Sequence, residues 1–201
     1  MGFYQKLTEL SWLETGEPVE DQFLWTGSAK RTALTVFLAV VTSIFFLLVM
    51  AYIQRMELSD WNPLTEPRLL WVNTVFLVIG SIAMQTARQS AVAGKRSVTA
   101  PLLAGGLLVV AFLIGQWVAW QRLKAGGFYL SSNPANAFFY LLTGLHGLHL
   151  IGGLFVWMRT MMRSLRGVDV EEIRLSVELC SVYWHYLLLV WLVVFALMLN
   201  T

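Results

Sequence analysis

The sequence predicts an all-α, polytopic membrane protein, a bundle of five transmembrane helices. Three observations predict it. The 201-residue chain is 57% apolar and only 13% charged, where a soluble domain carries about a quarter charged residues. Five apolar runs each approach or exceed the roughly 20 residues that a hydrocarbon core about 30 Å thick requires at helical rise. The connections between them are short and carry most of the charge. A net charge of +2 is too small for the electrostatic footprint of a nucleic-acid binder. The one cysteine, Cys180, falls within a predicted span, so no disulfide framework is expected.

The elements follow in order. Residues 1–30 hold Glu9, Glu14, Glu17, Glu20 and Asp21 and no early apolar stretch, so they read as a retained segment rather than a cleaved signal. Phe3, Leu7 and Leu10 recur there at helical spacing, as in a short amphipathic segment lying on the membrane face or on a partner. The membrane domain, residues 31–201, begins with a first span over 32–53. The second covers 68–87, with Pro67 suited to its first turn, and the third covers 100–121, led by Pro101. The fourth covers 134–158, where Ser132-Asn133-Pro134 reads as a cap followed by proline at the first helical position. The fifth covers 175–199.

Basic residues set the expected orientation. Lys6, Lys30, Arg31, Arg88, Lys95, Arg96, Arg159, Arg163, Arg166 and Arg174 fall on one side of five spans, and only Arg55, Arg68, Arg122 and Lys124 on the other. That asymmetry places the N-terminus in the cytoplasm and the C-terminus outside, in the periplasm. Trp61, Trp71, Trp117 and Trp120 sit near the outer boundary and Trp157 near the inner one, as an aromatic belt would. Ala111, Gly115 and Ala119 make a small-residue stripe on the third span, and Gly144, Gly147, Gly152 and Gly153 thin the fourth. Both let another helix approach closely.

Few residues carry chemistry. Ionisable groups inside a span are costly and normally face protein or water. The fifth span holds two, Glu178 and His185, two turns apart on one helical face. Glu178 can pair with Arg174 one turn earlier, against a proton-relay or lipid-headgroup role. His146 and His149 share a face of the fourth span. With His185 they form three imidazoles at similar depth, which could hold a metal, or ligate a haem between two helices as in a membrane anchor. Against that, no Cys, Asp or further His joins them, and ligating histidines need carboxylates behind them. The plainer reading has them hydrogen-bonding across helices or to backbone carbonyls.

Two motifs carry a family resemblance. Phe138-Phe-Tyr-Leu-Leu-Thr-Gly-Leu-His146-Gly-Leu-His149-Leu-Ile-Gly-Gly153, and Glu178-Leu-Cys-Ser-Val-Tyr183-Trp184-His185 followed by Trp191, resemble subunit III of haem–copper terminal oxidases, the cytochrome c oxidase subunit III family. Phe37, Phe45-Phe46 and Ala51-Tyr52-Ile53, then Asn73-Thr74, then Gln116 with Trp120 match in the same order, so the likeness runs from about residue 30 to the C-terminus.

The resemblance implies a five-span form of a non-catalytic subunit of the bacterial inner membrane. It implies no cofactor in this chain, with haem and copper held by a catalytic subunit I and a subunit II beside it. Phospholipids and a respiratory supercomplex are the further partners it implies, nucleic acid is not among them, and His146, His149, Glu178, Tyr183, Trp184, His185 and Trp191 become structural residues. The complex implied reduces oxygen to water and moves protons. A quinol oxidase or a nitric oxide reductase could hold the same subunit. Three carboxylates of the family pattern are missing: Val41, Ala119 and Leu188 stand in their places. That implies a reduced, structural version of the subunit.

Overall fold

The computed structural model describes residues 27–62 and 68–200. Pro67 and the amphipathic pattern at Phe3, Leu7 and Leu10 lie outside them. Among the described residues there are five long helices: α1 (Gly27–Met56), α2 (Leu69–Val92), α3 (Thr99–Ala125), α4 (Pro134–Leu165) and α5 (Val170–Leu199), with a short 3-10 turn at Arg96–Val98. Each is long and apolar enough to cross a membrane. At 24–32 residues they measure about 36–48 Å, near the 40–45 Å of a bilayer with its headgroup layers. They therefore run past the apolar spans by up to seven residues, because helical hydrogen bonding continues through the interfaces where hydropathy has already fallen.

Local sequence sets the ends. Asn133 caps α4, its side chain accepting from the Ala135 amide at 3.1 Å, and Pro134 follows at the first helical position. Gly127 closes α3 with φ +84°, and the Phe128 amide reaches back to the Leu123 carbonyl at 3.0 Å. Glycine takes that left-handed conformation without the Cβ penalty.

Helices α2 to α5 form the packed body, and α1 lies against α4 and α5. Glycines set the spacings. A methyl group at Gly105 would stand 2.7 Å from Met84 of α2, and one at Gly106 would stand 2.1 Å from the Trp157 ring of α4. Trp157 is accordingly buried, its indole N–H donating to the Leu102 carbonyl at 2.8 Å. This corrects its placement in an aromatic belt: a glycine on the neighbouring helix makes room for it inside. Trp61 and Trp120 are also partly enclosed, whereas Trp71 and Trp117 face outward.

Candidate functional site

The intramembrane polar residues gather at three levels. At the end where α1, α3 and α5 begin, Glu178 is buried on α5 between two guanidiniums. Arg174 Nε lies 3.2 Å from one carboxylate oxygen, and Arg31 Nη2 of α1 lies 2.7 Å from the other. The expected partner Arg174 is there. Arg31 was not expected, although an arginine opening another span at the same surface is the signal that points to it. Beside this node Thr99 and Ser164 share a hydrogen bond at 2.8 Å, and Arg163 reaches Glu172 at 3.1 Å.

Deeper, four helices meet around His146. Its ring is fully buried, 5.7 Å from Phe112 of α3 and 5.3 Å from Trp191 of α5 between centroids. Trp191 donates its indole N–H to Thr74 of α2 at 2.9 Å. The neighbouring Asn73 donates to Gln116 of α3 at 3.3 Å, and both amides are buried. Gly115 makes this possible, since a methyl group there would stand 2.1 Å from Asn73 Oδ1. Neither ring nitrogen of His146 has a hydrogen-bonding partner among the described residues.

The third level is a cleft of about 660 Å³ between α1, α4 and α5, lined by Leu34, Phe37, His149, Gly153, Tyr183 and Trp184 among others. Tyr183 crosses from α5 to α4, donating to the His149 carbonyl at 2.9 Å. Gly153 sits beneath its ring, where a methyl group would come within 2.5 Å. His149 turns its Nδ1 to the Leu145 carbonyl at 2.7 Å, and its ring rests near Phe37 and Phe45.

The three imidazoles do not converge. His146 is enclosed by Phe112 and Trp191, while His149 faces the cleft. His185 is exposed on the outer side of α5, its Nδ1 bonded to the Ser181 carbonyl at 2.6 Å. Among the described residues no group of three His, Cys, Asp or Glu side chains could hold a metal ion. His185 and Glu178 share a helical face, but only Glu178 is covered, because Arg31 and Arg174 reach over it. The geometry ties helices together.

Comparison with known proteins then decides the family. The family model described as cytochrome c oxidase subunit III matches residues 31–200, which hold all five helices but the first turn of α1. The chain belongs to the cytochrome c oxidase subunit III family. It is 31% identical over 178 residues to the cytochrome c oxidase subunit 3 of Synechocystis sp., covering 84% of this chain and 74% of the relative. A "probable cytochrome c oxidase subunit 3" of Mycobacterium leprae is 30% identical over 143 residues, 68% of this chain and 69% of that one. The cytochrome bo(3) ubiquinol oxidase subunit 3 of Pseudomonas aeruginosa is 32% identical over 127 residues, 62% of this chain and 60% of its own. Within this family member, Val41 and Ala119 are buried and Leu188 is half-buried.

Proposed function

We propose that this chain is the non-catalytic subunit III of a respiratory haem–copper oxidase of the cytochrome c-oxidising type in a bacterial inner membrane. It binds no redox cofactor itself. Subunits I and II hold the haem and copper, and the assembled complex reduces oxygen to water and translocates protons. The chain supports assembly, stability and lipid contact. The observation that carries this reading is the family match along the whole five-helix body. The site is consistent with it, since Glu178, Tyr183 and Trp191 join helices to one another. In this reading the end bearing Arg31 and Arg174 is cytoplasmic, following the basic residues.

The second reading is subunit III of a quinol oxidase, favoured by the sequence likeness to the bo(3) ubiquinol oxidase subunit 3. Purification through a tag on this chain tests both. The expected result is a copurifying haem- and copper-containing subunit that oxidises reduced cytochrome c. Oxidation of quinol instead selects the second reading, and a preparation without haem absorbance rejects both.

A further inference from the structure

His185 is misplaced for a lipid-facing side chain. It lies midway along α5, where water is scarcest, yet it is exposed on the outer surface with Val182 and Leu189 beside it, themselves 43% and 60% exposed. Its Nδ1 sits 2.6 Å from the Ser181 carbonyl. A carbonyl only accepts, so Nδ1 carries the hydrogen, and in that tautomer Nε2 is an acceptor. No residue described here donates to Nε2. Hydrocarbon cannot donate to it either, and polar groups inside membranes face protein or water-lined space.

The surface around it is shaped for a neighbour. One helical turn beyond His185, Leu189 lines a groove of about 190 Å³ between α1 and α5, with Phe46 and Val193 on its apolar walls. Thr42, midway along α1, shares a 2.9 Å hydrogen bond with Tyr186 at the same depth. An apolar groove with an imidazole acceptor at its edge is complementary to a helix that carries apolar side chains and one donor.

We propose that His185 is a docking contact. Its Nε2 accepts a hydrogen bond from a hydroxyl, amide or indole N–H on a membrane-spanning helix of the catalytic subunit, and that helix lies along the α1–α5 groove. The proposal rests on the reading of this chain as an oxidase subunit and adds the face and the chemistry by which it docks. It also changes what His185 is for. Of the two bonds the sequence suggested, across helices or to a backbone carbonyl, the chain supplies the second, to the Ser181 carbonyl of its own helix, and Nε2 is left for a partner.

The test uses the intact complex. A photo-cross-linking residue replaces His185, and the adduct formed on irradiation is identified by mass spectrometry. The expected adduct is with the catalytic subunit. In parallel, His185→Leu is compared with the parent for retention in the complex during detergent gel filtration. A lipid-facing position would tolerate or welcome leucine, so loss of retention, with the melting temperature of the chain alone unchanged, is the expected result. An adduct with lipid or with a second copy of this chain, no adduct, or unchanged retention of His185→Leu overturns the proposal. So does a fall in the chain's own melting temperature, which would assign the bond to the bundle. Failure of the underlying reading has a separate signature, a parent complex without haem absorbance.

Discussion

Arg31 of α1 and Glu178 of α5, 147 residues apart in sequence, meet at 2.7 Å and join the first span to the last. Glu178 is nearly enclosed, whereas the guanidiniums of Arg31 and Arg174 are largely exposed, at 61% and 48%. Removing one partner of a buried pair costs about 3–5 kcal/mol, and exposed pairs are worth about 1 or less.

This geometry lies between those limits. Glu178→Ala is expected to cost about 1–2 kcal/mol after allowing for solvent screening, and Arg31→Ala less, because Arg174 remains. Thermal unfolding of the purified chain in detergent measures both. Equal losses for the two variants would show that Arg174 contributes nothing to holding Glu178.

Gly115 and Gly152 should answer differently to the same change. A methyl group at Gly115 meets Asn73 Oδ1 at 2.1 Å, while one at Gly152 has no neighbour within 4 Å. Gly115→Ala must displace Asn73 or part α2 from α3, at about 1–3 kcal/mol. Gly152→Ala gains helix propensity, about 1 kcal/mol at most. Melting temperatures that shift alike would contradict the packing described.

His146 makes no side-chain hydrogen bond among the described residues, so replacing it with an apolar residue of similar size removes a desolvated polar group and breaks no partnership there. His146→Leu is expected to leave stability unchanged or to raise it. A loss above about 2 kcal/mol, beyond ordinary membrane hydrogen bonds, would mean that the imidazole has a partner.

The chain purified alone is expected to carry no stoichiometric haem or metal, because the three imidazoles face three different surroundings. Elemental analysis and a visible spectrum read this directly. A Soret band in the isolated chain would revive the haem-anchor alternative.

The spans were legible because apolar length is a property of the chain itself. The α4 cap at Asn133-Pro134 was equally plain, its chemistry being confined to three residues. Which way a side chain faces was not legible. The fifth span is apolar on every side, so no polar stripe distinguishes its inner face from its outer one. Glu178 and His185 therefore read alike, although a long side chain arriving from α1 covers only the first. His146 and His149 were read as sharing a face of the fourth span, but a separation of three residues turns them by about 60°. That is enough to put one in the core and the other at the cleft. Trp157 was misread for a related reason: its room is made by Gly106, on a different helix.

The packing of α1 has a consequence for how the chain is made. Of the five helices it leaves the ribosome first, yet it rests on α4 and α5, which leave last. Arg31 must wait for a carboxylate 147 residues downstream, roughly 7–30 s of synthesis at about 5–20 residues per second. Until then α1 lacks its main packing partners, α4 and α5. The bundle therefore closes from its last helix back onto its first, and a translational pause before Glu178 would lengthen the time that α1 stands open to other partners.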